Sequence, residues 1–236
     1  MIDAPQWLLS AWHRAVTAAG ATASPEEIEA TGERLLTRWQ EPGRHFHNLR
    51  HLADVLAKVD ELSPEAHRPH LVQLAAWYHG VVFSAAGEAA YARKGGEDAR
   101  ASSELAHSEL LALGIAEEDA KRVRELVIEL SRHAADPSDM DAAVLCDADL
   151  AVLASEPQRY RTYLEDVRRE YAHIPERDFL EARSAIVAKL LARPSVFVTP
   201  LAHPWEESAR QNLGAEQQRL TKELARLDAE SPREDL

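Results

Sequence analysis

The sequence predicts an all-α protein folded as one compact multi-helix domain. Apolar residues recur at helical spacing through nearly the whole chain of 236 residues. The alternating pattern typical of strands is almost absent, and β-branched residues are sparse apart from Val81-Val82 and Val196–Thr199. No internal repeat and no linker rich in Gly and Ser divides the chain. We therefore expect one helical domain over 1–228, followed by a frayed, charged tail over 229–236.

Residues typical of helix starts and helix ends predict the bounds of the helices along the chain. Ser24-Pro25-Glu26-Glu27 combines an N-cap serine, a proline at the first helical position and a glutamate at the third, which predicts a helix start. Pro42-Gly43 ends that helix, and Asn48 can cap the next one. The stretch 84–96 has little order in its pattern and is predicted to be a mobile loop. Further helices are predicted at about 67–83, 97–113, 117–133, 139–154, 157–172, 176–192 and 204–228.

Composition and charge exclude several classes of function. The net charge of -13 argues against nucleic acid as a partner, because neutralising phosphates needs a basic surface. A small anionic ligand stays compatible with this charge if a local basic pocket outweighs the global field. The single cysteine, Cys146, cannot form an intrachain disulfide, which fits a reducing compartment. The first residues lack a basic n-region, and no run approaches the length of a membrane span, so we expect a soluble, cytoplasmic protein without a membrane partner.

Three polar residues stand out because each lies in a segment that otherwise reads as buried core. They are His51, His79 and Asp149. Residues 71–83 and 142–154 are apolar on nearly all sides, as expected for central helices. Burying such groups without partners costs several kcal/mol, and a divalent metal bound by two imidazoles and a carboxylate removes that cost. The alternatives are an Asp149 hydrogen-bonded to a helix end or an arginine, and a histidine cluster on a solvated polar face.

The order of these residues also resembles a known family. The segments EPGRHFHNLRH (41–51), WYHG (77–80), GGED (95–98) and LCDADLAVL (145–153) are together similar to the HD superfamily of metal-dependent phosphohydrolases. The nearest branch is that of predicted HD-domain hydrolases with an arginine-histidine-tyrosine-histidine-asparagine signature. Residues 163–171 and 206–213 also look like that branch, so the resemblance covers nearly the whole chain.

The resemblance implies a metal held by His51, His79 and Asp149. Asp147 is the second choice for the last ligand, and both cannot face one ion because residues two apart on a helix diverge by about 200°. The family's His-Asp doublet is broken here, since position 80 is Gly. A single ion remains possible, and its expected identity lies among Mn, Ni, Co, Fe, Zn and Mg.

The remaining candidate residues would act on the substrate. Glu97 and Asp98 are the natural substitutes for the missing doublet Asp, and Glu97 is a candidate proton-handling group. The alternative for Glu97 is an exposed residue at a helix start. Arg44 is the candidate for steadying a phosphate, and the resemblance implies Arg183 and Arg210 as further candidates. For Arg210 a surface ion pair with Glu206 or Glu207 is the favoured role.

Two functions follow as expectations. The first is hydrolysis of a small phosphate ester, with a nucleotide as one option, impaired by the loss of the doublet Asp. The alternative is a degenerate, catalytically inactive HD-type domain that binds a nucleotide or a protein partner. A purely structural scaffold is disfavoured because it leaves the buried histidines and aspartate without a role.

Overall fold

A computed structural model of the chain describes residues 6–83 and 96–230, and the described part is all-α, as predicted. No strand occurs within these two ranges, where a lone antiparallel bridge joins Phe83 and Glu97. Most of the predicted mobile loop (84–95) and the end of the predicted tail (231–236) lie outside the described residues. The ten α-helices of the described ranges are α1 (Gln6–Ala18), α2 (Pro25–Trp39), α3 (Leu49–Leu62), α4 (Pro69–Tyr78), α5 (Ala99–Ala112), α6 (Glu117–Leu130), α7 (Met140–Leu150), α8 (Pro157–Glu170), α9 (Glu176–Leu191) and α10 (Glu206–Glu230).

Short 3₁₀ segments extend three of the connections. They cover Ser63–Glu65, Ala151–Ala154 and Pro200–Trp205. The predicted helix 139–154 is thus one α-helix continued by a 3₁₀ turn. The last helix runs to Glu230, two residues into the stretch predicted to be a frayed tail.

The predicted helix starts are confirmed by their caps. The Ser24 side chain accepts a hydrogen bond from the Glu27 backbone N–H, and the Glu27 carboxylate accepts one from the Ser24 backbone N–H, which completes a capping box. Asn48 Oδ1 accepts from the backbone N–H groups of Arg50 and His51 at the start of α3. These caps satisfy N–H groups that have no partner within their helix.

Helix α4 lies at the centre of the core. It packs against α1, α3, α5, α6 and α7. Its residues are buried nearly all round, and the aromatic side chains Trp77 and Tyr78 lie against Trp12. Both rings are therefore core residues.

The predicted continuation of α4 to residue 83 is wrong. The helix ends at Tyr78 with His79 as its C-cap, and the chain then turns at Gly80. The sequence favours this end, because glycine is a poor helix former and Val81-Val82 are β-branched. No helix among the described residues is long and apolar enough to cross a membrane.

Candidate metal centre

His51, His79 and Asp149 converge in the fold, as the sequence predicted. One ligand atom from each lies within 4.8 Å of those of the other two. His51 lies in the first turn of α3, His79 caps α4, and Asp149 lies in the last turn of α7. Both histidines are buried, with 5% of each exposed.

The distances within this cluster suit a single divalent ion. His51 Nε2 lies 3.0 Å from His79 Nε2, and Asp149 Oδ1 lies 3.2 Å from the first nitrogen and 3.7 Å from the second. Two ligand atoms each about 2.1 Å from one ion are separated by about 3.0–3.4 Å at octahedral or tetrahedral angles. The three atoms therefore already have nearly the spacing of one coordination sphere.

His79 is held in the form that a metal requires. Its Nδ1–H donates to the Ala76 carbonyl at 2.6 Å, which leaves the lone pair of the neutral ring on Nε2, facing the cluster. Burial lowers the pKa of His79 to about 4, against the opposing effect of the Asp149 carboxylate. The ring is therefore neutral at ordinary pH, and no proton competes for Nε2.

Asp149 is shared between the cluster and a fourth residue that the sequence did not single out. Its Oδ2 accepts a hydrogen bond from His133 Nε2 at 3.1 Å. Burial acts to raise the pKa of Asp149, but its bonds to His133 and His51 outweigh burial and hold the pKa well below the usual value. His133 has a φ of 45°, the positive region that few non-glycine residues adopt. Such strain is common at functional sites, but nothing in the sequence pattern around His133 indicated it.

Asp147 points away from the cluster, so Asp149 is the carboxylate that faces the histidines. The Asp147 side chain accepts from the backbone N–H groups of Val198 and Thr199 and from the Thr199 hydroxyl. It is fully buried and ties α7 to the segment before α10. The divergence expected for two residues on one helix turn is therefore observed.

Glu97 occupies the space that a side chain at position 80 would need. A Cβ built on Gly80 would lie 3.0 Å from Glu97 Oε1 and 3.0 Å from Trp39 Cη2. The helix α5 is capped by Asp98, not by Glu97, since the Asp98 side chain accepts from the Ala101 N–H. Glu97 therefore lies just before the cap of α5, with 28% of its side chain exposed and its Oε1 3.5 Å from His47 Nε2.

His47 lies between two carboxylates next to the cluster. Its Nδ1–H donates to Glu170 Oε1 in a short hydrogen bond, and its Nε2 lies 3.5 Å from Glu97 Oε1. Burial lowers the pKa of His47, but the two carboxylates more than compensate and raise it to about 9. The ring thus carries a positive charge at neutral pH, with its centroid 5.5 Å from that of His51.

Glu170 anchors the loop that carries His47. Its Oε2 accepts from the backbone N–H groups of His45, Phe46 and His47 at 2.9, 3.0 and 3.0 Å. Glu170 is 2% exposed. It lies in the segment 163–171 that carried part of the family resemblance, but its partners are more than 120 positions away in the chain, so only the fold shows its role.

Arg44 binds the backbone behind the site. Its guanidinium donates to the carbonyls of His47, Gly80 and Val81 at 3.0, 2.8 and 3.0 Å, and its side chain is 1% exposed. These bonds satisfy carbonyls released where α4 ends. The surroundings of Arg44 therefore favour a structural role, and no contact supports its predicted role in steadying a phosphate.

The two other arginines considered from the sequence have carboxylate partners. Arg210 donates to Glu206 at 2.6 Å, four residues before it, as expected for an ion pair on one helix. Arg183 forms two hydrogen bonds with the buried Glu216, at 2.7 and 3.1 Å.

Two concavities adjoin the cluster. A small cavity of about 10 Å³, about the size of one water, is lined by polar side chains that include His79, Glu97, His133 and Asp149. A larger groove of about 320 Å³ is lined by His51 and Asp149 and by further residues of α3. Asp149 therefore lines both concavities.

Comparison with known proteins adds no assignment. No protein-family model matches the chain, and no curated protein matches it in sequence.

Proposed function

We propose that the protein is a metal-dependent phosphohydrolase of the HD type, acting on a small phosphate ester. The observation that carries the proposal is the buried cluster of His51 Nε2, His79 Nε2 and Asp149 Oδ1 at ligand spacing. Two imidazoles and one carboxylate leave coordination positions open for water and substrate. The adjacent groove gives a small molecule access to this centre.

A divalent ion in this cluster would lower the pKa of a water and polarise a phosphoryl oxygen. In this proposal Glu97 would take the proton of the attacking water, and its position in the lining of the water-sized cavity, together with His79 and Asp149, supports that role. The His47 ring, positively charged between Glu97 and Glu170, would hold the Glu97 carboxylate in this position. His133 would orient Asp149 through Oδ2, as residues behind a ligand usually do.

We expect borderline metals to bind best. Two nitrogen ligands and one oxygen ligand suit Mn²⁺, Co²⁺, Ni²⁺, Fe²⁺ or Zn²⁺ better than Mg²⁺, which prefers oxygen and keeps its waters. Loss of the doublet Asp at position 80 removes an anionic ligand, so affinity and turnover should both be modest.

Metal content and phosphatase activity test the proposal together. The protein is purified without chelators, analysed for bound metal, and assayed with an activated aryl phosphate in Mn²⁺, Co²⁺ or Ni²⁺. We expect one ion per chain and slow hydrolysis, both lost in His79→Ala and Asp149→Asn. His67→Ala, an exposed histidine in the turn before α4, is the matched control and should keep both. Hydrolysis that survives both ligand substitutions would refute the proposal.

Gly80 supports a second candidate, a binding domain without turnover. The missing anionic ligand is the specific observation in its favour. If the wild type binds metal and a phosphorylated ligand but hydrolyses no ester with any of the metals above, this second function is the correct one.

A further inference from the structure

The groove that begins at the metal cluster has an apolar body. Its first residues, His51 and Asp149, belong to the cluster, so the groove and the centre are continuous. Beyond them many wall residues are small or apolar, and two are aromatic: Phe46, whose ring centroid lies 4.7 Å from that of His51, and Trp205, whose ring centroid lies 4.5 Å from Lys58 Nζ. Other apolar residues of the walls are Val55, Ala57, Ala148, Ala151, Val152 and Ala154. Its volume of about 320 Å³ is at the lower end of the range of about 300–1,000 Å³ typical of small-molecule sites.

One face of α3 explains why the groove leads away from the cluster. His51, Val55 and Lys58 are spaced at i, i+4 and i+7, so they follow one another along the same face of the helix. The 3₁₀ turn Ala151–Ala154, which also lines the groove, begins two residues after Asp149. A ligand held at the cluster by one end would therefore lay its other end between these two elements.

The two cationic side chains along the groove, Lys58 and Arg159, are already paired with carboxylates. Lys58 Nζ bonds Glu61 at 2.6 Å and lies 4.5 Å from the centroid of the Trp205 ring. Arg159 bonds Asp54 at 2.5 Å on the other side. Two carboxylates, Asp54 and Glu156, line the same groove. A second or third phosphate in this groove would thus meet, among the described residues that line it, no lysine or arginine free of a carboxylate partner.

One polar atom in the groove wall has no partner. Ser155 Oγ is buried and makes no hydrogen bond, although Ser155 lines the groove. An unpaired hydroxyl of this kind costs free energy unless a ligand or water satisfies it. Because this oxygen is itself buried, it offers no polar contact to a ligand that lies in the groove.

We infer that the groove binds the organic part of a phosphate monoester, and that this part is apolar, compact and aromatic. The inference rests on the proposed function, since the single phosphate would lie at the cluster of His51, His79 and Asp149. Aromatic rings fit because two aromatic residues, Phe46 and Trp205, line the groove together with several small alanine side chains. Inorganic pyrophosphate and nucleoside di- and triphosphates are disfavoured by the paired charges.

Binding of non-hydrolysable phosphonates tests this inference without requiring turnover. Phenylphosphonate and methylphosphonate share the same charged group and differ only in the part that the groove would bind. In the presence of Mn²⁺, calorimetric titration should give a Kd at least tenfold lower for phenylphosphonate, and pyrophosphate should bind no better than methylphosphonate. Equal affinity for the two phosphonates, or clear preference for pyrophosphate, would overturn the inference.

Substitutions locate the preference in the groove. Ala154→Phe fills the slot and should reduce the phenyl preference to less than threefold, while binding of methylphosphonate stays unchanged. Ala188→Phe makes the same change on an exposed position of α9 and should keep the full preference. Trp205→Ala, which removes one aromatic wall, is the second variant if Ala154→Phe does not fold. A preference that survives the groove variants would place the phenyl group elsewhere and refute the inference.

The outcome is separable from that of the proposed function. A phenyl preference without hydrolysis supports the groove and refutes the hydrolase. Hydrolysis of activated esters without any phenyl preference supports the hydrolase and refutes the groove.

Discussion

A single glycine decides how the carboxylates of the site are arranged. Gly80 follows the C-terminal end of α4, and the absence of a side chain lets the Glu97 carboxylate and the Trp39 ring approach within 3.0 Å of the missing Cβ. From sequence alone, Gly80→Asp would be expected to restore a ligand at no cost in helix propensity. The structure changes this expectation, because Gly80 lies outside the helix and its space is already filled.

We predict that Gly80→Asp destabilises the protein by about 1–3 kcal/mol, since the new side chain meets a carboxylate and a rigid indole ring. Combining it with Glu97→Ala, which empties the space, should recover most of the stability and raise Mn²⁺ affinity above that of Glu97→Ala alone. Urea unfolding and metal titration of the four forms in this double-mutant cycle measure both effects. Strictly additive effects in both measurements would show that positions 80 and 97 do not share one space.

At the scale of elements, the site is assembled from helix ends. His51 lies in the first turn of α3, and His79 is the C-cap of α4. Asp149 lies in the last turn of α7, and Glu170 is the last residue of α8. Helix ends carry backbone groups without partners in their own helix. Here Arg44 binds the carbonyls released after α4, and Glu170 binds three N–H groups of the loop before α3. Buried charged groups thus fix the loops that position the ligands.

The role of Glu170 can be tested by removing its charge. We expect Glu170→Gln to lower the free energy of unfolding by about 2–4 kcal/mol, because one buried carboxylate satisfies three N–H groups and the charged His47 ring. Glu165→Gln, an exposed residue on the same helix, is the matched control and should change stability by less than about 0.5 kcal/mol. Equal unfolding midpoints for the two variants in urea would contradict an anchoring role for Glu170.

At the scale of the whole molecule, the buried histidines make stability depend on pH in two opposite ways. The folded state raises the pKa of His47 to about 9 despite its burial, through Glu97 and Glu170, with Asp149 also contributing. It lowers the pKa of His79 to about 4, mainly by burial. An unfolded histidine titrates near pH 6.5, so the two residues act on opposite sides of that value.

We predict that metal-free protein is most stable near pH 6.5 within the range set by these two residues. Between about pH 6.5 and 9 the folded state holds a proton on His47 that the unfolded chain has lost, so stability falls as pH rises. Between about pH 6.5 and 4 the unfolded chain protonates at His79 while the folded state does not, so stability falls as pH drops. Each arm should amount to about 1–3 kcal/mol.

Thermal unfolding in chelator across this pH range measures the two arms. His47→Gln should flatten the alkaline arm and leave the acid arm, and His79→Gln should do the reverse. An alkaline arm that is unchanged in His47→Gln would show that another group is responsible.

Local sequence signals predicted the helices, and comparison with the structure shows which features such signals can predict and which they cannot. The Ser24 capping box and the Asn48 cap are short-range features, so the sequence could reveal them directly. The end of α4 was missed because a continuous apolar run does not distinguish a buried helix from a buried turn. The structure shows that turn at Gly80, where carbonyl groups are bound by an arginine from a distant loop.

The sequence by itself determined the all-α fold and the three candidate ligands, because helical periodicity is local and a buried polar residue is conspicuous in an apolar run. Only the tertiary structure decided between Asp147 and Asp149, placed the Glu97 carboxylate beside Gly80, and brought His133 and Glu170 to the site. It also showed Arg44 bound to backbone carbonyls rather than directed at a ligand. These outcomes depend on the direction of side chains and on contacts between distant segments. The local pattern of apolar and polar residues predicts neither of them.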